Sequence, residues 1–207
     1  MQISDGISTL TLFDQGLGDS DTTLGSISFS GTDVFGNWNH VTGSVTAQPN
    51  PLQLQLRAEF DTTPDRFDAN STRRLDFWAI FTELVAGTPA ESLTFHTASS
   101  GSAAGGTNGG WQAYVDDNDT FRGTASTVGS SAGIGASNGS ATLLLEGTYS
   151  TTLRAQFDLS AATGTVFSGQ QAVSLSLPSN GVPEPATAAL VAGGLLLAAR
   201  RRPRAQG

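Results

Sequence analysis

The side chains able to do chemistry are few and scattered. The chain has two histidines, His40 and His96, and no cysteine. A cysteine nucleophile, a thiolate metal site and a disulfide are therefore all excluded. The stretch "GSSAG" (129–133) fits the G-x-S-x-G pattern of a serine nucleophile. That chemistry needs a sharp strand-to-helix turn and a histidine later in the chain, yet both histidines precede Ser131 and low-complexity sequence follows it. Neither histidine has a second one at a spacing that would put two metal ligands on one face. His96 falls on the polar side of "SLTFHT", opposite Leu93 and Phe95, which reads as a surface imidazole.

Oxygen ligands are more plentiful. "DDNDT" (116–120) offers Asp116, Asn118 and Asp119 to a calcium ion, and "DQGLGDSD" (14–21) offers Asp14, Asp19 and Asp21. Neither run is an EF-hand loop: counted from Asp116, the position that requires glycine holds Phe121. The same residues also make ordinary polar hairpin loops. For a sugar ligand the candidate is "FGNWNH" (35–40), where Trp38 would stack on a pyranose while Asn37 and Asn39 hydrogen-bond its hydroxyls. Trp111 and Tyr114 come second; core packing competes for every one of these rings, and Trp78 is assigned to the core. Whether two carboxylates stand at glycosidase separation is set by the fold and not by sequence spacing.

Charge narrows the partners. There is no lysine; residues 1–182 hold six arginines against seventeen acidic side chains, a balance of −11, and the remainder holds four arginines against Glu184, a balance of +3. An acidic body lacks the clustered cations that neutralise phosphates, so a nucleic-acid partner is set aside.

The elements that must position these residues are strands. In "LQLQLRAEF" Leu52, Leu54, Leu56, Ala58 and Phe60 share one face, and Gln53, Gln55, Arg57 and Glu59 the other. "TLRAQFDLS" repeats the alternation with Leu153, Ala155, Phe157 and Leu159 inward. Further strands are expected at 8–13, 25–30, 41–47, 92–97, 111–115, 142–149 and 172–177. Residues 75–85 are apolar on both faces, as in a covered strand or a short helix, and their aromatic and β-branched content favours strand. The Gly/Ser-rich stretches 97–110 and 123–141 read as surface loops, the second alternatively as a weak edge strand held by Val128, Ile134 and Ala136. About ten short strands without helical interludes predict an all-β, antiparallel sandwich of jelly-roll type over residues 1–178.

The pattern changes at 179–185, where Pro183 and Pro185 can continue neither a ladder nor a helix. Residues 186–199 carry no charge, with Ala186, Leu190, Val191, Leu195, Leu196 and Leu197 among them, and Arg200, Arg201 and Arg202 open a basic tail over 200–207. Fourteen helical residues span about 21 Å. That makes a short, thin transmembrane helix, and the arginines would stay cytoplasmic.

These three ordered elements resemble the PEP-CTERM sorting tail of exported bacterial proteins: Pro183, Glu184 and Pro185, then the short apolar segment, then the arginine cluster. The resemblance covers about residues 182–204. It implies recognition by an exosortase, a membrane-embedded processing enzyme, with the precursor held briefly in the inner membrane and the body released or attached at the surface of a cell that makes exopolysaccharide. Members of that family carry an N-terminal signal peptide. "MQISDGISTLTLFDQ" has neither a basic n-region nor an apolar run, so an export signal upstream of Met1 is expected. The expectation overall is a non-enzymatic surface or matrix protein that needs no cofactor beyond the candidate calcium, with extracellular polysaccharide as its partner. The alternative is a lectin-like module working through Trp38, or a glycosidase.

Overall fold

The computed structural model describes residues 1–49, 52–67, 73–160 and 166–177. Twelve strands account for most of them: β1 (Gln2–Ser4), β2 (Thr9–Thr11), β3 (Ser26–Val34), β4 (Trp38–Pro49), β5 (Leu52–Thr62), β6 (Arg74–Val85), β7 (Glu91–Ala104), β8 (Thr107–Asp116), β9 (Ser126–Ser131), β10 (Ser137–Leu145), β11 (Thr148–Leu159) and β12 (Phe167–Ser176). The one helical element among the described residues is a single 3-10 turn at Pro64–Arg66. No helix among them is long and apolar enough to cross a membrane. The sorting motif, the apolar segment and the arginine cluster lie outside the described residues.

The strands form two six-stranded sheets, all pairs antiparallel. Sheet A runs β2-β1-β6-β11-β8-β9 and sheet B runs β10-β7-β12-β5-β4-β3. Eight of the strands, β5 to β12, are divided between the sheets in the order of a double Greek key: β5-β12-β7-β10 faces β6-β11-β8-β9, the jelly-roll topology. The β3–β4 hairpin widens sheet B beyond β5, and the β1–β2 hairpin widens sheet A beyond β6.

Alternation decides which face is inside. Leu52, Leu54, Leu56, Ala58 and Phe60 of β5 are all buried, as are Leu153, Ala155, Phe157 and Leu159 of β11. Between the sheets the rings meet edge to face: Trp38 on Phe60 at 5.1 Å, Phe60 on Phe157 at 5.0 Å and Phe77 on Phe157 at 6.0 Å. This places the quadrupoles favourably and excludes water from the centre. The exposed edge of β3 is capped by the preceding loop: the Ser28 N–H donates to Asp19 Oδ1 at 2.9 Å, and the Ser20 N–H donates to the Ser28 carbonyl at 2.9 Å. Such a cap blunts an edge that could otherwise pair with another chain.

Three sequence expectations change. The stretch 97–110 is not a loop; it completes β7 and opens β8, turning from one sheet to the other at Gly105 and Gly106. For the stretch 123–141 the alternative reading prevails over the loop: it contains β9, with Val128, and the first part of β10, each at one edge of its sheet, while Ile134 and Ala136 lie between the two strands. Glycine is used here because the backbones come close. A side chain at Gly129 would strike Thr97 and lie 2.8 Å from Trp111, and one at Gly109 would strike the Gln156 carbonyl and lie 3.1 Å from Ile134. Finally, 142–149 is divided between β10 and β11 at Glu146 and Gly147, the latter at φ +75°.

Candidate functional site

Because side chains alternate along each strand, register alone decides which polar residues meet on the outer face of sheet B. One row across five strands reads Ser28 (β3), Ser44 (β4), Arg57 (β5), Ala172 (β12) and Ser100 (β7). The next reads Ser30, Thr42, Glu59, Gln170 and Ser102. These rows line a cleft of about 690 Å³ that crosses β3, β4, β5, β12 and β7. Its side chains are short hydroxyls and amides, with Phe29 the one aromatic among its lining residues and Arg57 and Glu59 the one charge of each sign. Neither Arg57 nor Glu59 joins an ion pair among the described residues. Gln170 Nε2 donates to Ser102 Oγ at 2.9 Å and so holds one wall. The cleft therefore offers many hydrogen-bond donors and acceptors at no net charge.

The outer face of sheet A is built differently. Asp76 on β6 receives Arg154 of β11 through Nε at 3.0 Å and Nη2 at 2.7 Å, both at Oδ1, and Arg74 Nε at 2.9 Å at Oδ2. Arg154 Nη1 goes on to Gln112 Oε1 at 2.9 Å, Arg74 Nη2 to Gln156 Oε1 at 2.7 Å, and Gln156 Nε2 to Asp158 Oδ2. This ladder crosses β6, β11 and β8. Trp78 stands in the same layer, with the Arg154 guanidinium 4.6 Å and the Arg122 guanidinium 4.5 Å from its ring centre. Trp78 is thus an outer-face residue and not part of the core. Sequence allowed the misassignment because β6 is apolar on both faces, and the arginines that cover the ring come from other parts of the chain.

The remaining sequence candidates are placed as follows. Trp38 is 0% exposed, between Phe60 and Phe67, so its ring cannot stack on a sugar. Asn37 and Asn39 are half-buried beside it, and the Asn37 carbonyl accepts Thr62 Oγ1 at 2.6 Å. The preference of a sandwich interior for its largest rings prevails there. Trp111 is buried as well, while Tyr114 is half-buried on the outer side of β8. His40 is on the outer face of β4, Nε2 3.3 Å from Ser30 Oγ, and His96 is exposed on β7. Ser131 Oγ donates to its neighbour, the Gly133 carbonyl, at 3.2 Å.

The acidic side chains of both loops accept backbone N–H groups, from their own loop or from a neighbouring strand. Asp116 Oδ1 accepts the Asn118 N–H at 2.8 Å and Asp119 Oδ1 accepts the Glu83 N–H at 2.7 Å. Asp14 Oδ2 accepts the Gly25 N–H at 2.8 Å. The Ser28 N–H, with those of Asp21 and Gln15, holds the Asp19 carboxyl below the usual aspartate range, and the Ser26 hydroxyl and Thr23 N–H do the same for Asp21. No three acidic or histidine side chains converge on a cation position among the described residues.

In the sequence Arg57 and Glu59 read only as the water-facing side of a strand, and Gln170 falls before the strand expected at 172–177. Their only local signal is polar alternation, and what makes them a site is the register that joins them to Ser44 and Ser100.

No protein-family model matches this chain, and no curated protein matches it. Among solved structures it is similar to an isomalto-dextranase of Arthrobacter globiformis T6 complexed with panose, at 10% sequence identity and a TM-score of 0.22, over 75% of this chain and 33% of that one. This chain spans about a third of that structure, and a likeness so slight decides neither fold nor function.

Proposed function

We propose that this is an exported, non-enzymatic surface protein whose jelly roll holds a neutral extracellular polysaccharide across the outer face of sheet B. The observation that supports the reading is the cleft of about 690 Å³ in which five adjacent strands present short hydroxyl and amide groups around Arg57 and Glu59. A neutral polyol exchanges its water hydrogen bonds for such groups at a small gain per contact, so affinity builds up along the polymer rather than at one residue. The opposite charges of Arg57 and Glu59 cancel, which favours an uncharged chain over an acidic one. Delivery rests on the sequence of the tail: the Pro183, Glu184 and Pro185 motif, the apolar segment and the arginines propose sorting by an exosortase and display at the cell surface.

The test is a glycan array of neutral oligosaccharides probed with the full chain. Replacing Arg57 and Gln170 together by alanine should weaken binding by about tenfold, the equivalent of one or two hydrogen bonds, whereas Trp38→Phe should leave it unchanged. Binding that survives the double substitution, or no binding to any glycan, rejects this face. Intact-mass measurement of the mature protein from its native cells tests delivery: a chain ending near Pro183 to Pro185 supports processing, and one retaining Arg200 to Arg202 contradicts it.

A further inference from the structure

Between the two polar rows of sheet B runs a third row of a different kind. Phe29, Gly43, Ala58, Gln171 and Gly101 stand opposite one another from β3 to β7, one on each strand, and all five line the cleft. They belong to the inward-facing set: Gln171 is buried, and a side chain at Gly43 would lie 3.1 Å from Met1 and 3.2 Å from Phe77, on the core side. With glycine or alanine at three of the five positions, the middle of the cleft is floored by backbone. Each strand thus contributes the same unit, a polar side chain, a bare floor and a second polar side chain, with Ala172 of β12 the one apolar wall. The units repeat at the strand spacing, about 4.8 Å, and the two walls of each unit are alternate residues, about 7 Å apart along the strand.

The row also has two ends. At β3 the backbone of Ser28 is held by Asp19 and Ser20 of the preceding loop. At β7 the ladder with β10 reaches Ser99 and, among the described residues, goes no further; there Ser99 Oγ donates to the Gly135 carbonyl at 2.9 Å. Five units are therefore on offer, and they select among neutral glycans by the shape of the chain. Pyranoses joined through equatorial bonds, as in a β-1,4 linkage, make a ribbon. C–H groups cover its faces, hydroxyls project from both edges, and it advances by nearly one strand spacing per sugar. Laid across the strands and turning with the twist of the sheet, such a ribbon puts a face on the bare floor and an edge against each polar row. An α-1,4-linked chain coils, and its successive sugars cannot meet successive strands.

We infer, resting on the neutral-glycan reading of this face, that its ligand is a single extended chain of β-1,4-linked neutral pyranoses, lying across the strands with one sugar on each of the five. The third sugar lies on β5 between Arg57, which donates to its hydroxyls, and Glu59, which accepts from them, and these charge-assisted bonds make it the tightest-held position.

Isothermal titration of the full chain with β-1,4-linked glucose oligomers of two to six units tests this without any substitution. Affinity should rise about threefold per added sugar, the equivalent of one weak net hydrogen bond, and level off at five. Maltohexaose has the same composition as cellohexaose and differs only in its α-1,4 bonds; it should bind about tenfold more weakly. The Arg57 and Gln170 double variant should lose about tenfold toward cellohexaose with its melting temperature unchanged. A series that levels off at two or three units or still rises from five to six, or maltohexaose bound as tightly as cellohexaose, overturns the ribbon and leaves the neutral-glycan reading standing. Failure of these oligomers and of every neutral glycan on the array removes both.

Discussion

Two guanidinium groups share the carboxylate of Asp76, and the geometry makes that residue the keystone of the outer face of sheet A. The Arg154 and Asp76 side chains are 14% and 10% exposed, so removing the carboxylate strands a largely desolvated cation. Asp76→Ala should cost about 3–5 kcal/mol in urea unfolding. Arg66 and Asp33 are 2.7 Å apart but 41% and 64% exposed, and Arg66→Ala should change stability by less than about 1 kcal/mol. Equal costs for the two substitutions would show that distance, not burial, sets the worth of these pairs. At this scale the sequence was a poor guide. Arg57 and Arg154 had no distinction there from other polar positions, because what sets them apart is who faces them across the sheet, Ser44 and Ala172 for Arg57 and Asp76 for Arg154. The sequence promoted Trp38 on the strength of its flanking asparagines, yet the ring turns inward, while Trp78, assigned to the interior, is the tryptophan that meets solvent.

Among the elements, legibility followed side-chain volume. β5 and β11 could be read residue by residue because leucine and phenylalanine alternate with glutamine, arginine and glutamate, and both came out with the expected face buried. The distal part of β7 and the start of β8 could not, and β9 could be read only as the alternative to a loop, anchored at Val128, because glycine, serine and alanine carry almost no periodic signal. Their glycines are set by the neighbouring strand or the opposite sheet, a contact that no local window contains. The consequence is measurable. Gly109→Ala would push a methyl group into the Gln156 carbonyl and toward Ile134, and should destabilise the fold by about 1–3 kcal/mol. Gly133, in the turn that joins β9 to β10, has open space where a side chain would go, and Gly133→Ala should be neutral or stabilise by about 0.4–1 kcal/mol. If both behave alike in thermal unfolding, the glycines of β8 are loop-like fillers and not spacing elements.

For the whole molecule the double Greek key has a geometric outcome that neither sheet has alone. It turns two flat polar faces away from each other across one shared core, so ligands held on them cannot meet. The faces also differ in charge chemistry: sheet B sets a lone Arg57 beside a lone Glu59, whereas sheet A ties Asp76 to Arg154 and Arg74 in one ladder. If only the sheet B face holds a polymer, one molecule cannot bridge two chains, and bridging depends on protein concentration in a way that simple binding does not. Mixed with a neutral polysaccharide that it binds, the full chain should therefore sediment with the polymer without raising turbidity at any ratio of protein to polymer, and the Arg57 and Gln170 double variant should stay in the supernatant. Turbidity that passes through a maximum as protein is added would mean that the copies of the protein join each other, and the single-face reading would then give way to one in which binding and self-association act together.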